Sequence, residues 1–551
     1  MRNEACRAHA EGRQSAQLFD QRTACLDQRR ASLAATVDVV HGTGQVGVDE
    51  RLKAVAGLPS LATCADSEAL TAALPLPGAE LRPQVQQHRE TLARVEVLEQ
   101  TGQLRLGMQL VDEVLADSRT AAYAPLIAEA NYHKGSLQQW EGAPAKALEA
   151  YERALWSAIE IDHALVAARA SQRRGFVLAY QLLQPVRARE GLELMTALNR
   201  RVRHNVAAYA EYLDNTAVVR LKLDETDEAA RLWQEAIALR EEHGLLETAA
   251  GIGGLYNFAM VLQLQKRCEE ALPLYRRVVA LSEKTLGASE PQRPLYEMAV
   301  AVCLVELGRP HEARERMQQL ERSLDRFETD RARKYGFFGR AYAELAAGDG
   351  DAARQYISRA LAAVPEEVLP EFWALLAMAA ALAGDPPAVE RAREKALAGL
   401  QGSDPRQSSS QVVHKNVGKA LASLGRHEEA IAVFVTARDA LADATGSVDR
   451  LRRDMIALEL GKSRTALGQF DAAEQDLEAA LTGFQAELTP RNRELADAML
   501  ALGELALARQ RFEAATTWLA EAEAVYAGTA EPDYPPLVRT RAALAEARTR
   551  E

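Results

Sequence analysis

A small residue opens a helical stretch about every 41 residues along most of this chain. It stands at Gly107, Ala147, Gly191, Ala229, Ala271, Ala313, Ala353, Val389, Ala430, Ala473 and Ala515. Positions at fixed offsets test the register. Twelve residues before these anchors come Val95, Gly135, Ala179, Ala217, Ala259, Ala301, Ala341, Ala377, Gly418, Gly461 and Gly503, all but the first Gly or Ala. Four residues after them come Val111, Tyr151, Met195, Trp233, Tyr275, Met317, Ile357, Arg393, Phe434, Leu477 and Leu519, apolar except for Arg393. Small residues let two helices approach closely, and a large one fills the remaining gap. Five before the anchors, Gly102, Gly142, Gly308, Gly348, Gly384, Gly425 and Gly468 mark turns that call for a left-handed residue. One such pair cannot bury its apolar face alone, so a stack of pairs is the fold this pattern permits.

The spacing resembles that of the tetratricopeptide repeat (TPR) over about residues 81–530. Ala353, Ala360 and Pro365 reproduce the spacing of its positions 20, 27 and 32, and Trp373 falls at its position 4. The longer copies, such as the one ending LGASEP at 286–291, are similar to the kinesin-light-chain type. The resemblance implies an all-α, right-handed superhelical solenoid of about eleven helix pairs. Residues 1–78 form an N-terminal helical segment, 79–530 the array, and 531–551 a C-terminal capping helix. The polar run at 402–411 is a candidate hinge, and LPLPGAELRP at 74–83 the strongest boundary. Two copies are irregular: the one around Gly191, and the one where Arg393 interrupts the seam.

The N-terminal segment reads as one long helix over 1–40, with Leu18, Cys25, Leu26, Leu33, Val37 and Val40 along an apolar stripe. Gly42, Gly44 and Gly47 match GxGxxG, but with no strand before them they read as a connection between helices. Short helices follow at about 49–56 and, capped by Asp66 or Ser67, at 68–74. Text at 4–6, 21–33 and 58–70 is similar to the linker preceding the TPR arrays of large bacterial serine/threonine kinases. That likeness implies, as an alternative, the sensor or regulatory portion of such a kinase system. The chain carries no HRD, DFG or kinase glycine loop.

Composition excludes several classes. A net charge of −12 is wrong for general nucleic-acid binding. No apolar run reaches the roughly 18–20 residues that span a bilayer, and the N-terminus lacks a signal-peptide core, so a cytoplasmic location is expected. The five cysteines form no CxxC pair and read as scattered thiols, with the redox state of Cys6, Cys25 and Cys64 left open. His9, His88, His204 and His427 stand in charged helical text and read as solvated. No HExxH, Walker loop or GxSxG appears, so no enzyme, cofactor or metal is expected.

Recognition is the chemistry left, in the groove lined by the first helix of each pair. The TPR resemblance places Asn215, Asn257 and Asn416 where an Asn bonds a bound peptide's backbone, and an amide both donates and accepts. Lys415 and Lys419, one turn apart, could pair with a carboxylate. Tyr212, Tyr256, Tyr335, Phe338 and Tyr342 could supply apolar shelves. The expected function is a protein–protein interaction scaffold holding a peptide or protein segment. Its partner is a protein, with a serine/threonine kinase pathway as one candidate source.

Overall fold

The computed structural model describes residues 2–41, 47–59, 61–67, 70, 74, 76–117, 123–288, 290–324, 327, 329–365 and 369–551. Among them every regular element is helical, and from Arg82 onward the helices stack as antiparallel pairs. Two compact units divide the chain: residues 1–257 with 281–288, and 258–280 with 289–551. The division falls inside the helix pair Ala249–Leu264 and Cys268–Leu286, a place that neither the proline-rich stretch at 74–83 nor the run at 402–411 marks.

The repeat register has a direct physical counterpart. In the first unit, a Cβ on Gly135 would come within 2.8 Å of the Tyr151 ring. In the second, one on Gly503 would meet Leu519 at 2.5 Å, and one on Gly418 would run into Phe434. The small residue twelve before the anchor therefore faces the large one four after it. Tyr151, Trp233, Tyr275, Phe434, Leu477 and Leu519 are all fully buried at that position. The seven turn glycines all adopt left-handed backbone, from φ 70° at Gly384 to 86° at Gly348. Where a copy lacks the glycine, Asp224, Lys266 and Gln510 take the same conformation at φ 60–61°, at a cost that an ordinary side chain does not repay by itself.

The irregular copies resolve differently. Around the third anchor the first helix, Ala164–Phe176, runs into a π-helical turn at Val177–Gln181, and Gly191 is a junction between short helices Pro185–Glu190 and Leu192–Arg200. Gly191 therefore divides the second helix where the register expects it to begin one. The eighth copy is regular: Val389, Ala392 and Ala396 form its seam, and Arg393 turns outward to Glu390 and Glu429.

Four N-terminal expectations are corrected. The single helix over 1–40 is two, Arg2–Ala10 and Ala16–His41, separated at the left-handed Gly12. Its buried face is Ser32, Ala35, Thr36 and Val39, with Leu33 and Val37 exposed. Of the expected stripe, Leu33 and Val37 face out, whereas Val40 packs against Ala35, Val39, Ala54, Val97 and Leu98, and Leu18, Cys25 and Leu26 are half-buried; the closest contact is made by small residues. Cys25 and Cys64 are joined in a disulfide across 39 residues, with Cα atoms 5.6 Å apart, so these two are not scattered thiols. His88 is no solvated histidine either, since its Nε2 lies 3.3 Å from Asp117. Most of the GxGxxG stretch and of the 68–74 helix falls outside the described residues.

Candidate functional site

In the second unit the first helices of successive pairs are Arg293–Glu306, Asp330–Ala346, Pro370–Leu382, Ser408–Ser423, Ser447–Ala466 and Arg493–Ala508. Their shared inner face gathers Glu306, Tyr342, Lys415, Lys419, Glu459, Lys462, Arg493 and Glu494. Lys266 joins them from its left-handed turn. Lys266 Nζ stands 3.4 Å from Glu306 and 3.3 Å from Glu494, its side chain only 16% exposed. Burial alone would lower the Lys266 pKa, but the two carboxylates outweigh it and hold it above the ordinary lysine value. Burial would likewise raise Glu494, yet Lys266, Arg493 and Lys415 hold it well below the usual carboxylate range. Glu494 and Asn492 both reach Lys266 from the far end of the unit, so this face curves until its first and last pairs meet.

Further along, Lys462 lies 3.2 Å and Lys419 4.0 Å from Glu459. Lys415 is different. The two lysines Lys266 and Lys419 act on it more strongly than any carboxylate does, and among the described residues it forms no ion pair within 4 Å. Burial first, then those two lysines, pushes it down to about 8, with Glu494 and Glu306 only partly offsetting them. These two carboxylates balance the lysine only in part, which leaves its charge under-compensated. Tyr342, on the same face, is pushed up to about 12 by burial and by Glu306.

The ten residues singled out from sequence divide between the units. Tyr335, Phe338, Tyr342, Lys415, Asn416 and Lys419 lie in the second. There Lys415, Lys419 and Tyr342 converge on the charged face. Phe338 stacks on Tyr342 at 6.5 Å and packs against Phe372 at 4.3 Å, which makes it part of a wall. Tyr335 sits beneath Lys334 and Arg331, and Asn416 is half-buried next to Lys415. In the first unit Tyr212 is buried, its hydroxyl 3.0 Å from Thr196, and the Asn215 amide donates to Glu211 O of its own helix at 2.8 Å. Tyr256 and Asn257 are half-buried there. Lys266, Glu306, Arg493 and Glu494 escaped the sequence reading. One signal was available: Lys266 occupies the turn position where most copies carry glycine.

Residues 252–326 match one tetratricopeptide repeat family model, and residues 304–368 and 458–532 match another. The kinase-like text at 4–70 has no counterpart among these matches. No curated protein matches the chain. Among solved structures, the apo quorum sensor NprR from B. thuringiensis is similar over 68% of this chain and 97% of its own, at 11% identity and a TM-score of 0.45. A Rap protein complexed with Competence and Sporulation Factor covers 54% of this chain and 87% of its own, at 14% identity and 0.41. The APC/C hetero-tetramer Cut9–Hcn1 covers 96% of both chains, at 15% identity and 0.34. Likenesses of this size say nothing about function. Over residues 252–368 and 458–532, this chain carries tetratricopeptide repeats.

Proposed function

We propose that the chain is a non-enzymatic scaffold whose second unit holds a peptide or protein segment against its inner face. Tetratricopeptide repeats generally mediate protein–protein interactions. The observation that supports this surface is Lys415, a half-buried cation near Lys266 and Lys419 that forms no ion pair within 4 Å among the described residues. An acidic side chain or chain end seated there would receive a charge-assisted hydrogen bond in a sheltered place, where such bonds are strongest. Asn416 and Lys419 flank that position, and the Phe338–Tyr342–Phe372 wall offers an apolar border. Asn215 contributes less to this reading, because it is buried and donates one amide N–H to Glu211 O of its own helix.

The test is fluorescence anisotropy with a pool of labelled acidic, neutral and basic peptides. Acidic peptides should bind, more weakly as salt rises, and K415M should weaken them at least tenfold with an unchanged circular dichroism spectrum. Equal affinity for the wild type and K415M would remove this face from consideration.

The Cys25–Cys64 bond bears on location. Such bonds persist in oxidising compartments and are rare in the cytosol, so it favours an oxidising compartment over the cytoplasm expected from sequence. A thiol count on protein purified under alkylating conditions decides it: three free thiols support the oxidising compartment, and five the cytoplasm.

A further inference from the structure

Residues 530–534, between the helices Phe512–Thr529 and Pro535–Arg550, lie against the turn at 308–312, some 220 residues earlier. The Glu531 carboxylate accepts the backbone N–H groups of His311 at 3.0 Å and Glu312 at 3.1 Å. Its own N–H donates to Gly308 O at 2.9 Å. His311 Nε2 stands 3.0 Å from Asp533, and a Cβ on Gly308 would come within 2.6 Å of the Ala530 Cβ. Farther along the same seam, Asn492 Nδ2 donates to Lys266 O at 2.7 Å.

What Glu531 does is ordinary, but where it comes from is not. Helix N-termini present unpaired N–H groups and a positive dipole end, which a nearby acidic or polar side chain satisfies. Asp349 and Asp385 do this from the residue just before their helices, each accepting an N–H three residues on. The helix Pro310–Glu321 is preceded by Arg309, which offers no acceptor, and its cap arrives from the opposite end of the unit. His311, Glu531 and Asp533 also lie close enough to share a cation. Both Glu531 oxygens, however, already accept backbone N–H groups, which accounts for the cluster without one.

These fastenings are polar, and the His311 and Asp533 side chains are 44% and 67% exposed. The seams between neighbouring pairs are built on continuous apolar clusters, such as Val413, Val417, Phe434, Ala437, Ile456 and Leu460. A joint of this kind opens before the pairs it connects do.

We propose that residues 530–534 form a strap that fastens the last helix pair of the second unit to its first pairs, and that its release governs sideways entry to the inner face. The inference rests on the inner face being the binding surface. With the strap closed, the Lys266–Glu494 bridge and the Asn492 bond shut the seam beside Lys415. A free chain end can then approach along the open faces, whereas a segment flanked by folded domains has to come through the seam. The occupant that needs the strap to open is thus an internal segment of a larger protein.

The test needs no peptide. Full-length wild type, E531A and E531Q are followed by backbone amide exchange, and by labelling of Lys415 with a bulky N-hydroxysuccinimide ester read by mass spectrometry. E531A should speed exchange at 308–312 at least tenfold and label Lys415 at least fivefold faster, with the exposed Lys146 of the first unit unchanged as the reference. E531Q, which keeps one acceptor oxygen, should fall between and serves if E531A does not fold. Unchanged exchange at 308–312 would overturn the strap. Faster exchange with unchanged Lys415 labelling would overturn its control of entry. Failure of acidic peptides to bind would defeat the proposed function and leave both strap readouts standing.

Discussion

The two units carry charge on the first helices of their pairs, and the second adds lysines to the arginines that both use. The first unit uses arginine: Arg89 grips Glu129 through two nitrogens at 2.8 and 3.2 Å, and Arg173 meets Glu211 at 2.6 Å. Each of these pairs joins neighbouring repeats. The second unit has arginine pairs too, Arg340 with Glu344 and Arg316 with Glu297, but adds lysines at 266, 415, 419 and 462, and Lys266 meets Glu494 more than 200 positions away. A guanidinium fork fixes a carboxylate in one geometry. An ammonium is a compact charge that turns to meet whatever partner is present. Arginine pairs lock parts of both units, while the lysines of the second are cations whose partners can be exchanged. Exchangeable partners are what a binding surface requires.

The sharpest way to break this comparison is to remove one cation from each side. K266A takes from Glu494, 7% exposed, the strongest of the three cations that hold it ionised, leaving Arg493 and Lys415. Breaking a buried pair costs up to about 3–5 kcal/mol, with Arg493 retaining part of it, read as a lower urea midpoint and as faster amide exchange confined to the second unit. R89A should cost the first unit a similar amount through Glu129. The conservative swaps separate the two designs. R89K should recover little, because a lysine cannot span both Glu129 oxygens, whereas K266R should recover much of the loss. If R89K restores stability fully, the fork is not what holds the first unit.

A covalent tie distinguishes the first unit further. The Cys25–Cys64 bond closes a loop of 39 residues, which by chain entropy is worth up to about 4 kcal/mol. The C64S variant should lose roughly 2–4 kcal/mol in the N-terminal helices, measured by amide exchange over residues 16–41. The second unit should exchange as before. A loss spread over both units would mean that they unfold together and are not separate in stability.

Periodicity carried most of the fold. Because the small residue and the large one physically touch, as Gly135 and Tyr151 do, their spacing is legible without coordinates. The turn glycines were readable for the same reason, since only left-handed backbone closes that turn. The disulfide was not, because nothing in the spacing of Cys25 and Cys64 says that the helix Ala16–His41 lies beside residue 64. The site was half legible. Lys415 and Lys419 stood out as neighbours on one helix, but their setting depends on Glu494 and Lys266, brought together by curvature summed over many repeats. Each repeat adds a small rotation that no local pattern encodes.

Lys415 offers the smallest effect and the most direct reading of the comparison. Its folded pKa of about 8 lies below the 10.5 of a free lysine, so the charged form is disfavoured by the fold. Below pH 8 the amine is protonated in both states, and the penalty is present in full. As pH rises from about 8 to 10.5, the folded protein gives up this proton first, the unfolded chain binds more protons, and stability climbs. K415M removes the titration. It should therefore stabilise the second unit at pH 7 by about 1–3 kcal/mol, with the advantage shrinking to little by pH 10.5. Thermal melts of both proteins across pH 7–10.5 read the difference. The matching change in the first unit, R173M, should destabilise at every pH in that range, because Glu211 loses the arginine it faces. If K415M destabilises at pH 7 as well, Lys415 already has its partner within the chain, and the second unit is locked as firmly as the first.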